Sequence, residues 1–260
     1  MISVLLSECV NADAAVRSLL GQTCESWELL ANDKSAGVDS SPLRDLAEQD
    51  RRIRLLPQPG DSSIGAIWNG LLSHASGEWI AYLGPSDRYD REFLANIGRH
   101  ADKGELLLFS HDVLTPNAAE SATVDPSRGR DMLFAQNITA PIGVAHRGVL
   151  AERIGGFNEL AWQDPLWDFL KRAARAGTTF ALLPIKSGRT AARQTQANAA
   201  PPTGCRKRLE ANWLAGKPLY GSQLPPVRRH AIRGRSTRLP RSFLCHRFGR
   251  SRPRWFPSRE

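Results

Sequence analysis

Ala75-Ser-Gly-Glu-Trp-Ile-Ala-Tyr-Leu83 runs directly into Gly84-Pro85-Ser86-Asp87. A short apolar run that stops at a Gly-Pro turn has the pattern of a buried strand, here Glu78–Leu83. The segments on either side say what kind of sheet it joins. Upstream, Ile64, Ile67, Trp68, Leu71 and Leu72 fall on one face of a helix over Ile64–His74. Downstream, Asp90–His100 predicts a helix and Glu105–Ser110 a strand. Nearer the start, Ile2–Leu6, Trp27–Ala31 and Ile53–Leu56 predict strands. Helices over Ala14–Leu20 and Pro42–Glu48 separate them, the second with Ser41 placed to cap it. Strands alternating with helices at this spacing predict an α/β fold, a three-layer sandwich around a mostly parallel sheet. Ligands of such sheets sit beyond the carboxyl ends of the strands, which singles out the loops after Leu30, Leu56 and Leu83.

Between Ser110 and Arg130 the pattern lapses into polar loop. It resumes with Asp131–Gln136, an apolar segment Ile138–Ala145 and a helix over Val149–Ile154 that Gly155 ends as a left-handed cap. Asp164–Ala176 predicts a helix with Leu166, Phe169, Leu170 and Ala173 inward. Thr179–Leu183 predicts a last strand, and the body is expected to finish at Pro184. The chain thus divides into residues 1–185 and a tail over residues 186–260.

Charge divides it at the same place. Residues 1–183 hold 17 Lys/Arg against 24 Asp/Glu, whereas residues 184–260 hold 18 against 2. An acidic body and a basic tail need separate explanations. No apolar run approaches the roughly 18 residues of a membrane-spanning helix. The start reads as a first strand and not as a signal peptide. Cys9, Cys24, Cys205 and Cys245 show no C-x-x-C spacing, which disfavours zinc and dithiol redox chemistry and points to a reducing cytoplasm. Gly-x-Gly-x-x-Gly and P-loop patterns are absent, and the histidines fall in no metal spacing.

Three loops carry candidate chemistry. Asp33, after the second strand, reads either as a carboxylate accepting hydrogen bonds from a nucleotide or as a turn cap. Asp87 and Asp90, after the fourth, read either as ligands of a divalent ion or as a Pro-Ser-Asp turn. Asp164 reads either as a base held ionised by a helix N-terminus or as an ordinary N-cap, with Asp168 one turn on able to pair with Lys171 or Arg172.

The order of these pieces resembles family 2 glycosyltransferases. The resemblance rests on Ile2-Ser-Val-Leu-Leu6, Ser18-Leu-Leu-Gly-Gln22-Thr23, Trp27-Glu-Leu-Leu-Ala-Asn-Asp33-Lys-Ser35 and Arg52-Ile-Arg54. It continues through Ser63-Ile-Gly-Ala-Ile-Trp-Asn69-Gly-Leu and Ala75–Leu83, then Met132–Asn137, Arg147–Phe157 and Gln163-Asp164 ahead of Trp167–Arg172. It implies a nucleotide-diphospho-sugar transferase fold of the GT-A type and a single inverting displacement at the anomeric carbon. The implied partners are a nucleotide-sugar donor and a glycan or lipid-linked acceptor. Asp164 matches the catalytic base, and Ser7, Asp33 and Asn69 match nucleotide-binding positions. A divalent metal, Mn or Mg, is the implied cofactor, with Asp87 as its remaining carboxylate. This chain departs from the family at that point: Gly84 and Ser86 stand where the family carries acids, so a catalytically inactive nucleotide- or partner-binding homologue is the alternative. Returning acids to positions 84 and 86 is expected to create metal affinity, with the fixed φ of Pro85 as the obstacle.

The tail, with Arg206-Lys207-Arg208 and Arg228-Arg229 among its clusters, has three readings. One is peripheral attachment to an anionic membrane. A second is sequence-independent contact with nucleic-acid phosphates, without a specific nucleic-acid partner. The third is out-of-frame translation, which the scarcity of acids favours.

Overall fold

The computed structural model describes residues 1–33, 41–57, 62–115, 118–125, 127, 139–161 and 164–191. All of them belong to the first of the two units into which the chain divides, Met1–Arg228. The tail readings for residues 192–260, the segment Asp131–Gln136 and the Gln163 position lie outside the described residues.

Four parallel strands begin the sheet: β1 (Ile2–Leu6), β2 (Trp27–Asp33), β3 (Ile53–Pro57) and β4 (Trp79–Leu83). Helices α1 (Asp13–Leu20), α2 (Ser41–Gln49) and α3 (Ile64–Leu72) connect them. Then follow β5 (Arg88–Tyr89), α4 (Phe93–Arg99), β6 (Leu106–Leu114), β7 (Ala119–Ala122), β8 (Val144–Arg147), α5 (Gly148–Ile154), α6 (Pro165–Arg175) and β9 (Phe180–Ala191). The order across the sheet is β3-β2-β1-β4-β8-β6-β9-β5, with β7 added to β6.

Strand alternation creates the three layers. Val4, Leu6, Leu29 and Ala31 pack under α1, α2 and α4 with Val16, Leu19, Leu43 and Phe93. Leu5, Leu30, Ile80 and Tyr82 face the other way and meet α3, α5 and α6 through Ile67, Trp68, Leu150 and Phe169. Ser63 caps α3 by accepting the Ala66 amide at 3.2 Å. Gly155, at φ 82°, closes α5 in the left-handed conformation expected of it.

A buried carboxylate ties the amino ends of the central strands. Glu28 Oε1 accepts the Ser3 hydroxyl at 2.6 Å, the Ser76 amide at 2.7 Å and the Ser76 hydroxyl at 2.8 Å. Ser3 Oγ in turn accepts the Gly77 amide at 2.8 Å. Burial alone raises the Glu28 carboxyl, but the bonds from Ser3 and Ser76, with Arg54 nearby, outweigh it and hold the group below its usual range.

Two sequence expectations change. The polar stretch after Ser110 is not all loop, because β6 runs on to Leu114 and turns back as β7. That hairpin is largely exposed, so it lacks the apolar signal of a covered strand. The last strand does not stop at Pro184 either. β9 continues to Ala191, pairing with β6 and then with β5, so the boundary at 185 falls inside a strand. The proline sits where the register with β6 shifts, between Leu183 opposite Phe109 and Lys186 opposite Ser110. A bulge is where a strand tolerates proline.

Candidate active site

The carboxyl ends of β1 and β4 open into a cleft of about 620 Å³. Ser7 and Glu8 line it from β1, residues 83–87 from β4, Trp68 from α3, Asp164 and Leu166 from α6, and Thr190 and Ala191 from the end of β9. The charged side chains on its wall are Glu8, Asp87 and Asp164; among the described residues no lysine, arginine or histidine lines it.

Asp164 takes the capping place that the sequence allowed. It is the N-cap of α6, with Oδ1 accepting the Trp167 amide at 2.9 Å, and it stands on the cleft wall. Asp168 is differently placed. It is 6% exposed and pairs with Arg172 Nε at 2.8 Å. Arg172 also donates to the Ile154 and Gly156 carbonyls at 2.7 Å each, so the pair fastens α6 to the end of α5 inside the protein and not on a solvated face.

Ser7 reaches the cleft, and its carbonyl accepts the Asn32 side-chain amide at 2.9 Å. Asp33 ends β2, its Oδ2 3.4 Å from Arg44 Nη2, and is not among the cleft-lining residues. Beside it the Cys9 thiol donates to the Asn32 carbonyl at 2.9 Å. Burial, helped by Asp33 and Glu8, pushes that thiol up to about 12, so it is not a nucleophile at neutral pH. Asn69 is not brought to the cleft. Its Nδ2 donates to the Phe157 carbonyl at 2.9 Å and to Glu159 at 3.0 Å, and its Oδ1 accepts the Phe157 amide at 2.8 Å. These bonds form a clasp between α3 and the turn after α5.

The loop after β4 does not fit a divalent ion, which needs several convergent hard oxygens. Asp87 Oδ2 accepts the Gly84 amide at 2.6 Å, while the Asp87 amide donates back to the Gly84 carbonyl at 3.1 Å. The side chain is 6% exposed and closes the turn on itself. Among the described residues, no three His, Cys, Asp or Glu are grouped to hold a metal ion. The obstacle to restoring an acid at position 84 is Asp87 more than Pro85. A Cβ on Gly84 would stand 3.0 Å from Asp87 Oδ2 and 3.4 Å from its Cγ, setting two carboxylates against each other.

Sequence reading missed the aromatic floor. Trp68 and Tyr82 line the cleft with ring centroids 5.1 Å apart, and Trp68 Nε1 is buried with no hydrogen-bond partner among the described residues. Their apolar spacing made both read as core, and the proximity of Tyr82 to a strand's carboxyl end was the available signal. Behind them the Tyr82 hydroxyl donates to His146 Nε2 at 2.6 Å, and His146 Nδ1 donates to the Arg147 carbonyl at 2.8 Å. Burial pushes His146 down to about 4, against the pull of that carbonyl. The folded-state value lies below the unfolded one, so the unfolded chain takes up the proton first as pH falls. The stability is complete above about pH 6.5 and lost on the way to 4, a span worth on the order of 3 kcal/mol. His146→Gln should flatten this limb, as read from urea midpoints at pH 7 and 4.5. An unchanged slope would mean the imidazole is not the group that titrates.

A mixed sheet between two helical layers, parallel from β3 to β4 and with antiparallel β8 beyond, has its cleft at the carboxyl ends of β1 and β4 and is the GT-A-like glycosyltransferase fold. The family model described as Glycosyl transferase family 2 matches residues 8–144, and the chain belongs to that family. It is 35% identical over 74 residues to the Escherichia coli UDP-Glc:alpha-D-GlcNAc-diphosphoundecaprenol beta-1,3-glucosyltransferase WfgD, covering 28% of this chain and 29% of that protein. Matches to curated relatives reach only 16% and 29% of their lengths. S. aureus TarS 1–349 in complex with UDP-GlcNAc has a similar fold, with TM-score 0.60 and 17% identity over 77% of this chain and 61% of that one. The mannosyltransferase PcManGT from Pyrobaculum calidifontis, in complex with GDP-Man and Mn2+, gives TM-score 0.54 and 18% identity over 75% and 59%.

Proposed function

We propose that the chain transfers a sugar from a nucleotide-diphospho-sugar to a hydroxyl of a glycan or lipid-linked acceptor, with inversion at the anomeric carbon. The observation that carries this is Asp164, a helix-capping carboxylate on the wall of the cleft that also holds the β1 and β4 ends. Asp164 takes the proton of the acceptor hydroxyl while its oxygen bonds to the anomeric carbon. The bond from that carbon to the diphosphate breaks, and the nucleoside diphosphate departs with the electron pair. Ser7 and Asp33 are assigned to the nucleotide. No step is given to a metal, because the loop at 84–87 does not fit one. The diphosphoundecaprenol-linked acceptor of the E. coli relative supports a lipid-linked acceptor here. A place on the inner face of a membrane suits such an acceptor, with the basic tail against anionic lipid. Among the described residues no helix is long and apolar enough to cross a membrane.

The self-closed loop at Asp87 favours one second reading, a homologue that binds nucleotide without turning it over. Calorimetry with UDP-glucose, UDP-GlcNAc, GDP-mannose and the free diphosphates, followed by assay for donor hydrolysis, separates the two. We expect binding and slow hydrolysis of at least one donor. Binding with no hydrolysis or transfer supports the second reading, and absence of binding rejects both.

A further inference from the structure

Two helices of one layer bring side chains to the cleft: α3 carries Ile64 and Trp68, and α6 carries Leu166 and its N-cap, Asp164. A group that takes a proton from the acceptor must stand at a fixed place relative to the donor, so whatever sets α6 against α3 bears on the rate. Between the two helices lies the turn over residues 155–159, and it is tied to both.

The tie to α3 is made by one side chain. Asn69 meets both polar groups of the Phe157 backbone, donating from Nδ2 to the carbonyl at 2.9 Å and accepting the amide on Oδ1 at 2.8 Å. The same Nδ2 donates to Glu159 Oε1 at 3.0 Å. A side-chain amide used on both faces holds the turn in two directions, as a strand partner would. The fit around it is close. At Gly156, whose φ is 68°, a Cβ would stand 2.6 Å from Asn69 Oδ1. One turn earlier on α3, a Cβ at Gly65 would stand 2.9 Å from the Asn158 carbonyl oxygen. The tie to α6 uses the other side of the turn. The Phe157 ring stacks on Phe169 with centroids 4.6 Å apart and planes at 21°, and Arg172 donates to the Ile154 and Gly156 carbonyls at 2.7 Å each. Phe169 and Arg172 belong to the helix that Asp164 caps. Rings and backbone packed this closely pass a displacement on, because a dense interior has little room to absorb it.

We propose that Asn69 is a positioning residue for sugar transfer: its clasp on Phe157 sets α6, and Asp164 with it, against the α3 wall of the cleft. This deepens the glycosyltransferase reading and rests on it. Asn69 touches neither donor nor acceptor and acts through Asp164. Asp168 lies outside this route, since the Phe157–Phe169 stack and the Asn69 bonds do not use its carboxylate.

The test uses the full chain and whichever of UDP-glucose, UDP-GlcNAc and GDP-mannose the wild type hydrolyses. Donor affinity is read by calorimetry, and the hydrolysis rate is taken at saturating donor, well below each variant's thermal midpoint. Asn69→Ala should lower the rate about tenfold to hundredfold, the effect of misplacing a reacting group by about 1 Å. Its donor affinity should stay within about twofold of wild type, a split that loss of folded protein does not produce. In an Asp164→Asn background the same change should cost no more than about a further twofold, because the group it positions is gone. Losses that multiply in the double variant overturn the proposal. So does a folded Asn69→Ala with the wild-type rate, or one that loses donor affinity as steeply as rate, which would make Asn69 a nucleotide contact. Should Asn69→Ala fail to fold, Gly65→Ala displaces the same turn while alanine favours the helix. A rate about threefold to tenfold down at unchanged donor affinity then supports the proposal, and a wild-type rate overturns it. Each of these failures leaves the glycosyltransferase reading standing. A wild type that binds donors and hydrolyses none removes that reading, and the proposal with it.

Discussion

Replacing Asp164 by asparagine is expected to lower sugar transfer by roughly 10²–10⁴-fold with little change in donor affinity or thermal midpoint, the usual cost of removing a general base. The separation of effects follows from the two roles of the side chain. Asparagine is as good an N-cap as aspartate, and its carbonyl oxygen can still accept the Trp167 amide that Asp164 Oδ1 accepts at 2.9 Å. What the amide cannot do is take a proton from a hydroxyl. Asp168→Asn supplies the contrast. Its carboxylate holds Arg172 against the Ile154 and Gly156 carbonyls, so its loss should lower the melting temperature and leave turnover per folded molecule close to wild type. Steady-state kinetics with thermal melts on both variants decides the matter. Full turnover in Asp164→Asn, with collapse in a folded Asp168→Asn, would move the base one helical turn along.

Gly188→Ala should be the most damaging small substitution in the body, costing on the order of 3–5 kcal/mol. Gly188 has φ 151°, a conformation that L side chains rarely adopt. An added Cβ would stand 2.0 Å from the Arg88 carbonyl oxygen and 2.9 Å from Tyr89 Cα. Both are backbone atoms, so relief requires parting β5 from β9. Parting them also endangers the bond from the Asp90 amide to the Ser187 carbonyl at 2.9 Å. Steric overlap added to backbone strain belongs among the mechanisms of severe loss. Gly98→Ala is the matched control: it lies in α4 with nothing within 4 Å of a Cβ, and a helical glycine-to-alanine change should be neutral or gain up to about 1 kcal/mol. Equal melting temperatures for the two variants would show that the β5–β9 contact is looser than described.

Gly188 also marks where the sequence stops being legible. Three of the strands that open the sheet, β1, β2 and β4, were readable because they are buried on both faces, and a buried strand writes itself as a continuous apolar run. Leu5 and Leu6 face opposite layers, yet both are fully buried. The late strands obey other rules. β9 crosses Pro184 at a bulge, β5 is two residues long, and β7 is mostly exposed, so none carries an apolar period. The site divides in the same way. Asp164 was legible as an N-cap, because an aspartate just ahead of Pro165 and a helical apolar pattern signals a helix start. Asn69 carried a motif, but nothing in Trp68-Asn69-Gly70 reveals a bond to Phe157 88 positions away.

The knot of Ser3, Glu28, Ser76 and Gly77 has a consequence for how this protein tolerates change. It fastens the strands at one rim of the sheet, while Gly84, Ser86 and Asn32 stand at the opposite rim, beyond the other end of the same strands. Substitutions at the second rim do not touch the contacts that secure the first. A chain built this way can exchange acids for glycine or serine around its cleft and remain folded. Its chemistry is then free to drift on a constant frame, whereas the same exchange at Glu28 would erode the frame itself.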